Sequence, residues 1–422
     1  DAGRRCATAN LDEESGICFA ESAFPFQIMN RPLLLALVLS HCPCPRVTAG
    51  PATALPPGYS LPTLDLSADS SRQFVVDREP GQYLGHPTTV LLEDGQTILC
   101  VYPKGHGAGA IVYKRSADGG RTWSDRLPTP ANWSTSHEVP TLHRLVDPDG
   151  KRRLVVFSGL YPIRMASSED DGQHWTPLEK IGDFGGIVTM GCVTSLTTGP
   201  GHYLALFHDD GRFFNGGPFS SNGSPSGLSD QVWTVYQTNT KDGGRSWSRP
   251  VPIAVSNGVT GPHHCEPGIL RSPDGKQLAV LLRENSRRFN SHVIYSENEG
   301  ASWSEPVQLP AALTGDRHTG VHTQDGRLLI SFRDTTRESP TKGDWVAWVG
   351  TWDDLVSGRE GQYRVRLMDN TKGSDCAYPG VLVQPDGTIV TTTYGHWTEG
   401  QAPYIVTVRL RMEELDALAQ KP

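Results

Sequence analysis

Acid–base groups, arginines and phenols recur at two kinds of position in this chain, just ahead of an apolar run and just after the next one. His86, Glu138, Glu266, Arg317 and Tyr378 stand at the start of such runs. Tyr102 to His106, Tyr161 to Arg164, His208 to Asp210, Arg283 and Glu284, Arg333 and Asp334, and Tyr394 to His396 stand at the end of the second run. Glu, Asp and His exchange protons. Arg holds anions through a planar, permanently charged fork. Tyr becomes a nucleophile only when a partner takes its proton, because a phenol ionises near pH 10. Brought to one place, such a set exceeds what packing requires.

The elements that must gather them are repeated hairpins. Six segments share a polar start, a Pro or small residue, an apolar run, a Gly-containing turn and a second apolar run. They begin at Gly85-His86-Pro87, His137-Glu138-Val139-Pro140, Thr189-Met190-Gly191, Cys265-Glu266-Pro267, Arg317-His318-Thr319 and Ala377-Tyr378-Pro379. Turns such as Asp-Gly between strand-like runs signal hairpins. Four of the segments are followed by an octet with constant internal spacing: Ser116 to Trp123, Ser168 to Trp175, Thr240 to Trp247 and Ser296 to Trp303. In each, an Asp or Asn can bond nearby backbone N–H groups, a Gly supplies a positive φ, and the Trp covers the turn. These octets read as structural, on the outer side of the fold.

Six hairpins, four continued by an octet hairpin, predict an all-β, six-bladed β-propeller of four-stranded antiparallel blades. Tyr59–Val76 is positioned to pair with Pro403–Leu410 and close the ring. The tail Met412–Ala419 alone has helical periodicity. In a propeller the first hairpin of each blade is innermost, so both sets of chemical residues fall on one rim of the central channel.

Composition bounds the rest. The 422 residues contain 37% hydrophobic side chains, 45 Gly and 32 Pro, which suits a globular chain with many tight turns. A net charge of −8 disfavours nucleic acid as a partner. Residues 1–50 read as a leader, an upstream segment followed by a secretory signal peptide from Met29, with Arg31, the apolar run Leu33–Leu39 and small residues near Ala49. That run is too short to span a bilayer. The chain is therefore expected to be secreted or periplasmic, with lipid anchoring at Cys42 disfavoured by the preceding His41. Residues 51–422 form one propeller domain. Cys6, Cys18, Cys42 and Cys44 fall in the leader, and Cys100, Cys192, Cys265 and Cys376 are too scattered for a metal site and read as free thiols. Asp209-Asp210 and Asp353-Asp354 are too sparse for a cation. Asn132-Trp133-Ser134 is a formal glycosylation sequon. No metal and no cofactor is implied.

From about residue 80 onward the chain resembles the exo-α-sialidases, or neuraminidases, with Asp-box repeats. HHCEPGILRSPDGKQLAVLLREN is similar to the family segment that carries a Glu at a strand start and, about 17 residues on, a carboxylate-binding Arg. DCAYPGVLVQPDG is similar to the segment bearing the Tyr nucleophile. The resemblance implies Tyr378 as nucleophile, Glu266 as its base and Arg283 on the substrate carboxylate. Sialic acid carries a carboxylate on its anomeric carbon, so a neutral Tyr avoids the repulsion that a carboxylate nucleophile would meet. Sialidases with a Tyr nucleophile are a known exception to the two-carboxylate rule of glycosidases.

The chain departs from the family at two places. Where members carry an Arg-Ile-Pro motif it has Gly85-His86-Pro87, leaving Arg78 upstream as a substitute. Arg333, Arg317 and Arg337 are alternatives for another carboxylate-binding Arg. The loop that holds the usual acid/base Asp reads Tyr102 to Gly109 and has no carboxylate, so His106, Glu138 and Asp209 compete for that role. Three functions follow: a secreted retaining exo-sialidase releasing terminal α-linked sialic acid from glycoconjugates; a propeller glycosidase or lyase-like enzyme on another acidic or modified sugar; or a non-catalytic carbohydrate-binding propeller.

Overall fold

A computed structural model describes residues 58–214, 233–256 and 260–420. The described residues lie in the compact unit Leu55–Pro422, the second of the two into which the chain divides. The leader expected over 1–50, with its apolar run and four cysteines, lies outside the described residues.

The second unit is a six-bladed propeller. Blade I comprises Thr88–Leu91, Ile98–Pro103 and Ile111–Ser116, blade II Thr141–Val146, Arg152–Ser158, Arg164–Ser168 and Glu179–Lys180. Blade III comprises Ile187–Ser195, Tyr203–Asp209, Thr234–Thr240 and Val251–Val255, blade IV His264–Arg271, Leu278–Glu284, His292–Ser296 and Val307–Gln308. Blade V holds Gly315–His322, Leu328–Asp334, Trp345–Gly350 and Tyr363–Met368, and blade VI Gly380–Val383, Ile389–Gly395 and Tyr404–Leu410. The second strand of each blade is almost wholly buried, as a strand covered on both faces by neighbouring blades must be. Gln73–Asp77 pairs antiparallel with Tyr404–Leu410 and completes blade VI, so the last part of Tyr59–Val76 makes the expected closure. Thr63–Asp65 instead adds a fifth strand to blade V, parallel to Tyr363–Met368. The tail forms an α-helix over Met412–Ala419, and Asp354 turns out to be the reciprocal cap of a short helix, Trp352–Val356.

The four octets act as fasteners between blades. The leading hydroxyls of Ser116, Ser168, Thr240 and Ser296 accept the amide of the Gly four residues on at 2.8–3.0 Å. Asp118, Asp170, Asp242 and Asn298 accept the amide four residues beyond themselves at 2.9–3.0 Å. Gly120, Gly172, Gly244 and Gly300 have φ between 78° and 85°, where a side chain is disfavoured. Three also press on the preceding blade: Gly172 lies on Tyr113, Gly244 on Leu145 and Gly300 on Leu204. The sequon residue Asn132 exchanges bonds with both backbone groups of Leu178. Cys100, Cys192, Cys265 and Cys376 are free thiols.

Candidate functional site

The innermost strands begin with a shared irregularity. His86, Met190, Glu266, Arg317 and Ala377 have φ between 45° and 57°, in the left-handed region that non-glycine residues seldom adopt. Strand register slips between Ile187 and Cys192, Cys265 and Gly268, and Asp316 and Thr319. Such bulges turn a side chain out of its pleat and re-aim it. Here they direct polar residues from separate blades towards one another.

The centre of that cluster joins blades IV, V and VI. The Tyr378 hydroxyl donates to Glu266 Oε1. Arg283 Nη1 donates to the same oxygen at 2.6 Å and to the Tyr378 hydroxyl at 3.2 Å, while its Nη2 donates to Asn285 at 2.6 Å. Burial acts to raise the Glu266 pKa, but the Arg283 guanidinium more than offsets it and keeps the carboxylate ionised. Burial and the Glu266 charge together push Tyr378 well above the ordinary phenol range, so the hydroxyl holds its proton. A neutral phenol thus rests against an ionised base.

Behind this pair lies Asp316, 0% exposed, with three arginines around it. Arg283 Nε is 3.2 Å from its carboxylate, Arg333 Nε donates at 2.9 Å, and Arg287 contributes a bidentate contact with one arm at 2.7 Å. Burial opposes ionisation of Asp316, yet Arg283, Arg333 and Arg287 hold it far below the usual carboxylate range. Arg333 also donates to the carbonyls of Ser374 and Cys376 at 2.6 and 3.2 Å, and its guanidinium lies 5.8 Å from the centre of the Tyr378 ring. Sequence reasoning missed Asp316 and Arg287. Asp316 is the cross-strand partner of Arg333, a relation that the hairpin register contains but the bulge at Arg317 obscures.

Blades I and VI add an aromatic and histidine layer. The His86 ring packs 4.3 Å from Tyr378 and 4.5 Å from Tyr394. Burial lowers its pKa to about 3, so it stays neutral. Asp375, also missed, accepts from Tyr83 at 2.6 Å and Tyr394 at 3.2 Å, and meets His396 Nε2 at 2.9 Å. His106 Nε2 lies 3.8 Å from the same carboxylate.

The remaining expected residues are placed differently. Glu138 is buried against blade III, where Thr189 N donates to it at 3.3 Å, and burial pushes its pKa up to about 8. Asp209 does not present its carboxylate to the channel. It accepts amides of Gly211, Phe213 and Phe214 at 2.9–3.2 Å and organises its own loop, because a carboxylate at a strand end satisfies the turn that follows. Arg317 is not in the arginine cluster either: it donates to the carbonyls of Gly191 and Pro267, bridging blades III and IV, and Arg287 fills the third place. Arg78 is exposed and lies 4.6 Å over the Tyr404 ring, apart from the other arginines.

Comparison with known proteins agrees with this architecture. The BNR repeat-like domain model matches residues 161–391. A sialidase of Paraclostridium sordellii is 24% identical over 229 residues, 48% of this chain and 53% of that protein, so the chain matches about half the length of this curated relative. Among solved structures, a Dyadobacter fermentans protein of unknown function superposes with a TM-score of 0.61 at 14% identity, covering 81% of this chain and 98% of that one. The α-L-arabinofuranosidase Arb93A of Fusarium graminearum superposes at 0.57 with 13% identity over 82% and 99% of the two chains. The intramolecular trans-sialidase of Ruminococcus gnavus does so at 0.53 with 14% identity over 81% and 96%. With a family match across more than half of its residues and the octets and blades to go with it, the chain belongs to the BNR repeat-like domain family, as a divergent propeller of the sialidase type.

Proposed function

We propose that this protein is a retaining exo-glycosidase that releases terminal α-linked sialic acid from glycans or glycoproteins. The observation that carries the reading is the contact among Tyr378, Glu266 and Arg283. As the Tyr378 oxygen attacks the anomeric carbon, its proton passes to Glu266, which Arg283 has kept ionised. A neutral nucleophile approaches a carbon bearing a carboxylate without charge repulsion. Arg283 and Arg333 flank the phenol and supply a cationic surface for that carboxylate. Water then cleaves the tyrosyl–sugar bond, and the anomeric configuration is retained. The apolar run Leu33–Leu39 supports export from the cytoplasm.

A second reading is a glycosidase of the same design on a different sugar. Two observations favour it: the three-arginine cluster already encloses the carboxylate of Asp316, and neutral His86 stands where the family carries an arginine. The arabinofuranosidase with a similar fold is in keeping with a propeller of this kind serving another sugar. Both readings meet in one experiment. Wild type and Tyr378→Phe are assayed on a fluorogenic α-sialoside beside aryl glycosides of other acidic sugars and of arabinofuranose. Turnover of the sialoside that is lost in Tyr378→Phe supports the first reading. Tyr378-dependent turnover of another glycoside alone supports the second, and activity that survives Tyr378→Phe refutes the nucleophile.

A further inference from the structure

A tyrosine nucleophile leaves the departing sugar oxygen without a proton, and neither Tyr378 nor Glu266 has one to spare for it. We infer that His106, held beside the Asp375 carboxylate, is the proton donor and acceptor of this site; the inference rests on the glycosidase reading above. His106 is in the loop joining the second and third strands of blade I, its side chain is 69% exposed, and its Nε2 lies 3.8 Å from Asp375 Oδ1. It therefore combines access to substrate with a fixed anion.

A hydrogen-bonded chain sets that geometry. Gly107 N donates to His86 Nδ1 at 3.2 Å, which makes Nδ1 the acceptor and leaves the ring proton on Nε2. His86 Nε2 then donates to the Tyr394 hydroxyl at 3.3 Å, and Tyr394 donates to Asp375 at 3.2 Å. Tyr83 donates to the same oxygen at 2.6 Å, and His396 Nε2 meets the other at 2.9 Å. Burial acts to raise the Asp375 pKa, but the bonds from Tyr83 and His396 keep it below the ordinary carboxylate value. The groups facing His106 are Asp375, the Tyr83 ring at 5.2 Å and neutral His86 at 5.1 Å. Lys104, the cation in the same loop, is paired with Glu79 at 3.0 Å. His86 is thus a positioning residue, packed between the nucleophile and the loop that carries the acid.

The other carboxylates are spoken for. Asp209 is bound by three amides of its own loop, and Glu138 is buried against blade III. In the reaction, the C–O bond to the leaving group breaks with its electron pair on oxygen, which takes the proton from His106 Nδ1, the ring nitrogen not engaged with Asp375, while the Tyr378 oxygen bonds to the anomeric carbon and its proton goes to Glu266. In the second half, neutral His106 takes a proton from the attacking water, the tyrosyl bond breaks, and Glu266 returns the proton to Tyr378.

The test compares wild type, His106→Ala, Asp375→Asn and Tyr378→Phe on two substrates, an aryl sialoside with a good leaving group and a galactose-linked sialoside. General acid assistance contributes about 10²–10⁴-fold. The galactose-linked substrate should lose turnover in that range in His106→Ala, while the aryl substrate, which needs little protonation, loses at most about tenfold. Asp375→Asn should lose turnover of the galactose-linked substrate while keeping most of that on the aryl substrate, a dependence on the leaving group that a structural role alone would not produce. Tyr378-dependent turnover with equal losses on both substrates, or with no loss in His106→Ala, overturns the dyad while leaving the nucleophile in place. No turnover of either sialoside by the wild type, or turnover that persists in Tyr378→Phe, overturns the sialidase reading and the dyad argued on it.

Discussion

Replacing Asp316 by Asn tests whether the arginine cluster is held by an internal counter-ion. The side chain is 0% exposed and contacts Arg283, Arg287 and Arg333, so the substitution keeps its shape but removes the negative charge that all three share. Removing one partner of a buried ion pair costs about 3–5 kcal/mol, mainly because charge is left uncompensated. An entropy of unfolding near 2.1 cal/mol/K per residue, applied to the unit Leu55–Pro422, makes 1 kcal/mol worth about 1.3 °C in Tm. The expected fall is therefore about 4–7 °C, read by differential scanning calorimetry at pH 7. The pH dependence follows from the direction of the Asp316 shift. Its folded pKa is depressed, so its contribution is present above the unfolded value of about 4 and is lost as pH falls towards the folded pKa. The gap between wild type and Asp316→Asn should narrow below about pH 4. A gap that is absent at pH 7, or equally wide at pH 3, would refute the counter-ion account.

Glu138→Gln should act in the opposite pH direction. Because burial raises the Glu138 pKa to about 8, its stabilising proton is fully bound below about pH 4.3 and is lost as pH rises through 8. At 1.36 kcal/mol per unit, the variant should gain on the wild type by up to about 5 kcal/mol between those limits, and parallel Tm-against-pH curves would count against the burial argument. Two glycines separate backbone strain from packing. Gly300 and Gly275 have φ of 78° and 77°, but a Cβ at Gly300 would lie 2.5 Å from Leu204 Cδ1 while one at Gly275 meets nothing within 4 Å. Gly275→Ala should cost about 1–2 kcal/mol from the left-handed conformation alone, and Gly300→Ala about 1–3 kcal/mol more from overpacking. Urea unfolding of the two variants checks this, and equal losses would show that the octet does not press on its neighbouring blade.

The propeller was readable because its instructions are local. A hydroxyl, a carboxamide or carboxylate, a glycine and a tryptophan within eight residues determine one turn, and the repeat of that turn reveals the number of blades without any knowledge of long-range contacts. Tyr378, Glu266 and Arg283 were readable for a related reason: each stands at a fixed offset from a hairpin turn, and the hairpins bring strand starts and ends to one rim. The errors cluster where that regularity breaks. A single left-handed residue shifts the alternation of side chains by one, so neighbours exchange faces. At Arg317 this sent the arginine to the carbonyls of blades III and IV and left Asp316 facing Arg333. Ahead of Tyr378, the left-handed Ala377 separates the phenol from Asp375, which turns to the tyrosines and histidines of blades I and VI. In both cases a carboxylate next to a conspicuous residue was passed over. Such a carboxylate is recognised by its cross-strand and cross-blade partners, and those exist only after the ring has closed. The pairing of a phenol with a carboxylate and an arginine can therefore be carried by short motifs, whereas the groups that set their charges belong to the closed propeller.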